Sequence, residues 1–285
     1  MANENARELF QAIVRSVKNV QKTDEKDYIN DNGLLTCGIC NTPRLSRVTL
    51  SQFGSVIVPV ACKCMNDEYN ALVEKKRVED CERARNTYIE FEKCRKYRFE
   101  QDDGRTAQIT KAIRKYAEKF EVMLEKNIGL VLYGDVGTGK TFYAGCVANE
   151  LIDRGYSVVM TSLARIIEYT DAFSKNRQRK EEYEEHLYKS HLLILDDLAT
   201  EREGKSTDEK VYNILNMRYS SGKPILITTN LTQNEIKSPS TIERRRIYDR
   251  LIEVCQLIEI PGKSRRIEAS NKRHDVLNKY LGLAE

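Results

Sequence analysis

The stretch IGLVLYGDVGTGKT, residues 128–141, joins an apolar run to a glycine-rich turn and then to a helical pattern. Its last eight residues match G-x-x-x-x-G-K-[S/T] at every fixed position. A strand before this motif and a helix after it form the context of a phosphate-binding loop. The glycines let backbone N–H groups turn toward phosphate oxygens, and the helix N-terminus adds its unsatisfied amides. The stretch therefore predicts a nucleotide site in an α/β domain.

The residue types of this loop predict particular roles. Lys140 is expected to reach the β- and γ-phosphates, and the Thr141 hydroxyl is expected to ligate Mg²⁺. The alternative, a glycine-rich turn that binds nothing, is disfavoured by the complete motif in the right context. The predicted nucleotide-binding residues of the loop are Gly134, Asp135, Val136, Gly137, Thr138, Gly139, Lys140 and Thr141.

From about residue 105 onward, helical and strand patterns alternate along the chain. Predicted helices cover residues 106–126, 140–154, 163–190, 206–222 (opening with a capping box at 206–209) and 241–254. Predicted strands are IGLVLY, SVVMTS, LLILDD, PILITTN and QLIEI. Strands separated by helices predict a parallel sheet flanked by helices on both faces.

Two predicted strands end in polar residues at the same edge of this sheet. LLILDD ends in Asp196 and Asp197, and PILITTN ends in Asn230. We expect Asp196 to hold the magnesium, Asp197 to polarise the attacking water, and Asn230 to position that water or sense the γ-phosphate. The alternatives are a solvated Asp-Asp turn and a strand-end Asn that opens a turn. No N-K-x-D motif for guanine stands in register, so the nucleotide is predicted to be ATP.

Composition and charge set broad limits. The chain has 285 residues, a formal net charge of +4 and an apolar content of 40%. This charge permits nucleic acid as a partner without requiring it. No apolar stretch has the length of a membrane span, and the N-terminus lacks the layout of a secretory signal. We therefore expect a cytoplasmic protein whose eight cysteines are reduced.

Four of these cysteines form two pairs, Cys37 with Cys40 and Cys62 with Cys64. Two such pairs fill a tetrahedral zinc site, although the second pair is one residue tighter than usual. Buried unpaired thiols remain an alternative. A redox role for CGIC is less favoured because no βαβ unit surrounds it. Structural zinc is the predicted ligand of this cluster.

With these motifs in place, the chain resembles the replicative helicase loaders of the DnaC/DnaI type, within the AAA+ ATPases, and is similar to the IstB-like transposition helpers. The resemblance covers about residues 95–267. It rests on the motifs RFEQDD, GDVGTGKT, LLILDDLATE, NILNMRYSSGKPILITTNLT, RIYDRL and PGKSRR. It implies an AAA+, RecA-like P-loop NTPase core without a full C-terminal helical lid.

The resemblance also implies roles for arginines. Arg250 falls where the family places an arginine that completes the site of a neighbouring subunit, with Arg245 and Arg246 as rivals and a helix salt bridge as the alternative. Asn230 falls on the position called sensor 1, and Asp197 stands where most AAA+ members carry Glu. Arg265 and Arg266 match a basic segment that senses nucleotide or touches DNA. Ala199 departs from the family, which often has glycine there.

The resulting domain prediction has three parts. Residues 1–65 form an N-terminal module with the zinc site and a short amphipathic stretch (Leu9 to Val17), residues 66–104 form a long exposed linker helix, and residues 105–285 form the AAA+ ATPase domain. Candidate DNA contacts are the helical stretch 163–190, which contains KNRQRK, and YIEFEKCRKYRF at 88–99. A solvated amphipathic helix is the alternative for the stretch 88–99, and 163–190 is the better candidate.

The resemblance implies an ATPase that loads a hexameric replicative helicase onto single-stranded DNA, self-associates through its ATPase domain, and has no membrane partner. Its predicted cofactors are ATP, Mg²⁺ and Zn²⁺. A transposition helper ATPase and an adaptor whose nucleotide only stiffens the fold are the alternatives.

Overall fold

The computed structural model describes residues 24–50, 54–198, 205–239 and 241–281. The chain divides into two compact units, residues 1–79 and 80–285, and this boundary falls within one helix. The amphipathic stretch predicted at Leu9–Val17, the departure at Ala199 and the Ser206 side chain of the predicted capping box lie outside the described part.

The described residues form nine strands and ten α-helices. The strands are β1 (Tyr28–Ile29), β2 (Leu35–Thr36), β3 (Leu45–Leu50), β4 (Gly54–Pro59), β5 (Gly129–Tyr133), β6 (Val158–Thr161), β7 (Leu192–Leu198), β8 (Ile225–Thr229) and β9 (Cys255–Glu259). The helices are α1 (Lys63–Tyr88), α2 (Ala107–Glu118), α3 (Phe120–Glu125), α4 (Lys140–Asp153), α5 (Leu163–Ala172), α6 (Arg177–Lys189), α7 (Lys205–Ser220), α8 (Gln233–Lys237), α9 (Ile242–Val254) and α10 (Arg265–Leu281).

The first unit contains two small antiparallel pairs. β1 pairs with β2, and β3 pairs with β4 in a register that sets Leu45 opposite Pro59 and Leu50 opposite Gly54. An isolated two-stranded sheet is at best marginally stable in water, and a structural metal is one source of stability that small domains use.

The predicted linker helix is shorter than expected. α1 begins at Lys63 and ends at Tyr88, whereas the absence of Gly and Pro had predicted a helix to about residue 100. Ile89, fully buried, instead forms a parallel bridge with Met160 of β6, and Glu90 N–H donates to the Met160 carbonyl at 3.1 Å. Two 3₁₀ turns follow, at Glu92–Lys96 and Phe99–Gln101. A pairing partner distant in sequence ends this helix, so local composition could not predict where it stops.

In the second unit, the described residues form a five-stranded parallel sheet with the order β6-β7-β8-β5-β9. Successive residues of each central strand face opposite sides. Leu130 and Leu132 of β5 pack in one core, with α2 and α4, whereas Val131 and Tyr133 pack in the other, with α7 and α9. The predicted parallel sheet flanked by helices is therefore confirmed.

Two predicted helices are each split in two. The pattern at 106–126 contains α2 and α3, which meet at Lys119, and the stretch 163–190 contains α5 and α6. The side chain of Asn176 accepts the Arg179 N–H at 3.2 Å and so caps the start of α6. Among the described residues, no helix combines the length and the apolar composition that a membrane crossing requires.

Candidate functional site

The phosphate loop lies between the end of β5 and the first residue of α4. Its three glycines have positive φ, at 137° for Gly134, 83° for Gly137 and 111° for Gly139. A Cβ atom on Gly134 would lie 2.6 Å from the backbone carbonyl oxygen of Ile260, so both the backbone conformation and a neighbour require glycine there. The Thr138 hydroxyl donates to the Asp135 carbonyl at 3.0 Å, which closes the loop on itself.

Lys140 lies against this loop from inside. Its ammonium group donates to the carbonyls of Gly134 and Asp135, both at 2.7 Å. Burial lowers the pKa of Lys140, because the ammonium group loses water when the loop folds around it. An ammonium has three donors, so a phosphate oxygen can accept a third hydrogen bond while the loop keeps the other two.

Asp196, near the carboxyl end of β7, lies beside Thr141. The Thr141 hydroxyl donates to one carboxylate oxygen at 3.2 Å, and the Thr228 hydroxyl donates to the other at 2.7 Å. Burial raises the pKa of Asp196, since only 8% of the surface of this residue is exposed. A hydroxyl and a carboxylate are ligand types that Mg²⁺ prefers, so these side chains fit the predicted metal. The sequence did not single out Thr228.

Asp197 and Asn230 meet at the mouth of the same cleft. The Asn230 amide donates to the Asp197 carboxylate at 3.0 Å. Asp197 has a φ of 66°, in the left-handed region that a residue with a side chain rarely adopts. Strained backbone of this kind is concentrated at functional sites. The sequence placed both residues at one edge of the sheet but could not show their contact.

These groups line one cleft of about 380 Å³. Its lining includes residues that the sequence did not select as site residues: Tyr97, Gln101, Asp102, Asp103, Phe142 and Thr228. Four of them lie in or next to the motif RFEQDD, which was a usable signal because the resemblance rested partly on it.

Arg265, the first residue of α10, covers the cleft. Its backbone N–H donates to the Gly137 carbonyl at 2.9 Å, and its guanidinium donates to the two Asp103 carboxylate oxygens at 2.8 and 3.0 Å. This pair holds the pKa of Asp103 down to about 2. Arg266 also lines the cleft. Both arginines therefore lie beside the phosphate loop, where the nucleotide-sensing alternative requires them.

The three candidate arginines of α9 differ in their surroundings. Arg250 donates to the Asn216 side chain, and its guanidinium lies 5.1 and 5.4 Å from the ring centroids of Tyr212 and Tyr219. Arg245 and Arg246 lie on the exposed face of the helix. None of the three lines the cleft described above.

Several of the basic residues proposed for DNA contact have partners within the chain. In α6, Arg177 pairs with Glu181 at 2.6 Å and Lys180 pairs with Glu184 at 3.8 Å. In the stretch 88–99, Arg95 donates to the Ile89 carbonyl at 2.8 Å and Arg98 donates to the Tyr97 carbonyl at 3.0 Å. These contacts favour packing over nucleic-acid binding for 88–99.

The four predicted zinc ligands come together in the first unit. All the Sγ atoms of Cys37, Cys40, Cys62 and Cys64 lie within 4.8 Å of one another, and the Cys64 sulfur lies 3.3 Å from Cys62 and 3.6 Å from Cys37. Sulfurs around a tetrahedral zinc stand about 3.8 Å apart for a Zn–S bond of about 2.3 Å. The cluster therefore has the donor set and the spacing that zinc requires.

Thr42 links the two cysteine pairs. Its hydroxyl accepts the Lys63 N–H at 2.8 Å and lies 3.1 Å from the Cys40 sulfur. That hydrogen bond, with help from backbone amides, lowers the pKa of Cys40 to about 5, so the sulfur is ready to bind as a thiolate. The hydrogen bond with the Cys62 sulfur raises the pKa of Cys64 to about 12, because it stabilises the protonated thiol.

A buried ion pair supports the cluster, and sequence reasoning missed it. Arg44 pairs with Asp27 at 3.0 Å and donates to the Cys37 sulfur at 3.6 Å. Asp27 also accepts the Gly38 N–H at 3.2 Å, and a Cβ on Gly38 would collide with the Lys26 carbonyl. A zinc with four thiolates carries a net charge of about −2, which Arg44 partly offsets. No spacing signal in the sequence marks either residue.

Known proteins resemble this chain in sequence and in fold. A family model described as IstB-like ATP binding protein matches residues 64–273. The chain belongs to this family. As an IstB-like protein it is an ATP-binding protein with the P-loop AAA+ fold, as predicted.

Curated relatives of this IstB-like protein include two helicase loaders. It is 29% identical over 154 residues to the replicative helicase loader DnaI of Bacillus subtilis, covering 50% of this chain and 48% of the relative. It is 30% identical over 151 residues to the replicative helicase loader DnaC of Escherichia coli, covering 52% and 58%. A putative ATP-binding protein in an insertion sequence of Mycobacterium tuberculosis is 28% identical over 148 residues, covering 50% and 57%. The chain spans about half the length of the curated relatives it matches.

Solved structures show the fold of this IstB-like protein. The DnaC helicase loader matches with a TM-score of 0.52 and 20% identity, over 60% of this chain and all of that one. A putative primosome component from Streptococcus pyogenes matches with a TM-score of 0.50 and 24% identity, over 62% and 93%. At these identities the likeness concerns the fold.

Proposed function

We propose that the protein is an ATPase that loads a hexameric replicative helicase onto single-stranded DNA. The observation that carries the proposal is the shared cleft, where the phosphate loop, the Thr141–Asp196 pair and the Asp197–Asn230 pair meet. The names of the DnaI and DnaC relatives support the replication role.

Each cleft residue has a proposed task. Lys140 and the loop amides bind the β- and γ-phosphates, and Thr141 with Asp196 would hold Mg²⁺. A bound magnesium ion neutralises phosphate charge and so eases attack on the γ-phosphorus. Asp197 orients a water and accepts its proton, while Asn230 holds the Asp197 carboxylate in place. Hydrogen-bond donors and charged groups held in place in one cleft stabilise the transition state of phosphoryl transfer.

An arginine supplied by a neighbouring subunit completes this proposed site. Arg250 can act in trans only if its guanidinium leaves Asn216 and the two tyrosine rings, which makes activation depend on subunit association. Arg245 and Arg246 need no such release because they lie on the exposed face of α9. Slow hydrolysis by the free protein, and faster hydrolysis in the assembled state, follow from either choice.

The zinc module and the linker helix are proposed to bind the helicase, and α5 and α6 are proposed to contact single-stranded DNA. Hydrolysis then serves as the signal for release of the helicase. A loader works where the chromosome or a mobile genome is replicated, so we place the protein in the cytoplasm.

Co-purification with a hexameric helicase tests the loader role. The full chain and a Lys140→Ala variant are each mixed with the replicative helicase of the same genome, and complexes are separated by size-exclusion chromatography. Helicase activity on circular single-stranded DNA is then measured with ATP. Wild type is expected to form a complex and stimulate the helicase, whereas Lys140→Ala fails to respond to ATP. Lack of any complex contradicts the loader role.

The insertion-sequence relative favours a second candidate, a transposition helper ATPase. Such a protein binds duplex DNA and a transposase. ATP hydrolysis that duplex DNA stimulates and single-stranded DNA does not, together with no helicase complex, would select this candidate. An adaptor with no hydrolysis under either condition is the remaining outcome.

A further inference from the structure

The two carboxylates of the cleft lie on a β-bulge. Leu195 of β7 pairs with Ile227 of β8, and the next pair along the two strands is Leu198 with Thr229. Asp196 and Asp197 therefore face the single residue Thr228. A bulge of this kind leaves one backbone N–H outside the ladder and re-aims a side chain, and bulges are frequent beside active sites.

The Thr228 side chain makes a hydrogen bond to each residue of the bulge. Its hydroxyl oxygen accepts the Asp197 N–H at 2.8 Å, and its proton is donated to the Asp196 carboxylate at 2.7 Å. The directions are forced, because an N–H can only donate and an ionised carboxylate can only accept. Thr228 is 1% exposed, so water cannot replace either partner readily.

This arrangement directs two adjacent carboxylates into one cleft. In an unbroken strand, Asp196 and Asp197 would point to opposite faces of the sheet. Here the left-handed backbone of Asp197, at a φ of 66°, turns its side chain to Asn230, while Asp196 stays toward Thr141. Both orientations depend on where the backbone is bulged, and the Thr228 hydroxyl bonds to both residues.

We propose that Thr228 is a positioning residue that holds the bulge and so keeps Asp196 directed at the metal position and Asp197 at the attacking water. The metal and water assignments rest on the proposed function. The structural part, that one hydroxyl maintains the bulge, stands without it.

Three variants of the full chain test this proposal. Thr228→Val removes the hydroxyl at nearly constant shape, and Thr228→Ser keeps it. Thr161→Val is the matched control, since Thr161 is also fully buried in the sheet and its hydroxyl also donates to a carboxylate at 2.7 Å, that of Glu90, but outside the cleft. A merely structural role would give the two valine variants the same phenotype.

The first measurement is hydrogen exchange of the Asp197 amide by NMR, without nucleotide. We expect exchange to be at least about tenfold faster in Thr228→Val than in wild type, Thr228→Ser and Thr161→Val. Equal protection in Thr228→Val overturns the proposal, whether or not the protein is an ATPase.

The second measurement is ATP affinity with Mg²⁺ and with a chelator, followed by hydrolysis. In Thr228→Val we expect the affinity without Mg²⁺ to stay within about threefold of wild type, the gain on adding Mg²⁺ to fall about tenfold, and kcat to fall about 100-fold. Thr228→Ser should recover most of both. Wild-type Mg²⁺ dependence and kcat in Thr228→Val overturn the positioning role, whereas a wild type that neither binds nor hydrolyses ATP contradicts the proposed function and leaves the exchange result to decide the bulge.

Discussion

Replacing Lys140 with alanine removes the ammonium that lies inside the phosphate loop. One charged hydrogen bond contributes about 1.5 to 3 kcal/mol, which is a factor of about 10 to 150 in Kd. We therefore expect ATP binding to weaken about 100-fold in Lys140→Ala. The folded protein without ATP should stay within about 1 kcal/mol of wild type. The variant loses two hydrogen bonds of 2.7 Å, from the ammonium to the carbonyls of Gly134 and Asp135. This loss is offset because the variant no longer buries an ammonium group, and burial of that group is what lowers the pKa of Lys140.

Thermal unfolding with and without MgATP measures this effect. At a free ATP concentration about 100 times the wild-type Kd, binding stabilises wild type by about 2.7 kcal/mol and the variant by about 0.4 kcal/mol. For a unit of about 200 residues, these energies correspond to increases in Tm of about 5 to 11 °C and about 1 to 2 °C. Calorimetric titration gives the two Kd values directly.

Lys111→Ala is the matched control, because Lys111 is an exposed lysine of α2. It should keep the full ATP-induced increase in Tm. A Lys140→Ala variant that also keeps the full increase would show that this lysine does not bind phosphate, and the reasoning from the loop would be refuted.

Four further predictions concern single side chains. Asp197→Asn should lower kcat by about 100-fold or more, with the Kd of ATP within about threefold, as measured by phosphate release and titration; unchanged turnover argues against its role as the base. Arg250→Ala should spare ATP binding and reduce partner-stimulated hydrolysis about 1000-fold, and full stimulated hydrolysis rules out its action in trans. Cys40→Ser should lower the zinc content, measured by elemental analysis, from one per chain, and a wild type without zinc contradicts the site. Asp103→Asn should reduce the free energy of unfolding by less than about 1 kcal/mol at neutral pH, because Asp103 is partly exposed. The Arg265 guanidinium lowers the pKa of Asp103 to about 2, so its contribution is complete above about pH 4 and disappears as the pH falls toward about 2. Urea unfolding at pH 7 and pH 2.5 checks this, and a difference that is as large at pH 2.5 as at pH 7 contradicts it.

Much of the nucleotide site could be predicted from local spacing. A phosphate loop needs glycines, a lysine and a hydroxyl within eight residues, and those requirements are met by the order of residues from Gly134 to Thr141. The alternation of apolar strands with helices predicted the parallel sheet for the same reason. The spacing of apolar residues that marks a strand or a helix is a property of neighbouring residues. The two cysteine pairs likewise carried enough information to predict that four sulfurs meet.

What the sequence missed depends on contacts between distant residues. The end of α1 at Tyr88 is set by a bridge from Ile89 to Met160, and nothing near residue 88 signals it. The pairing of Arg265 with Asp103 crosses the cleft between two ends of the second unit. Arg44 and Asp27 support the cysteine cluster from positions that no spacing rule selects.

The cleft shows most clearly which features follow from local sequence and which follow from contacts between distant residues. The amino-acid sequence predicted that Asp196, Asp197 and Asn230 lie at the carboxyl edge of the sheet and that Thr141 lies in the first turn of a helix, although β7 continues past the two aspartates to Leu198. Only the tertiary structure placed β8 between β5 and β7, and only the register of β8 against β7 created the bulge at Thr228. The physical reason is that strand order and register are set by packing of the whole sheet, whereas turns and helix starts are set within a few residues.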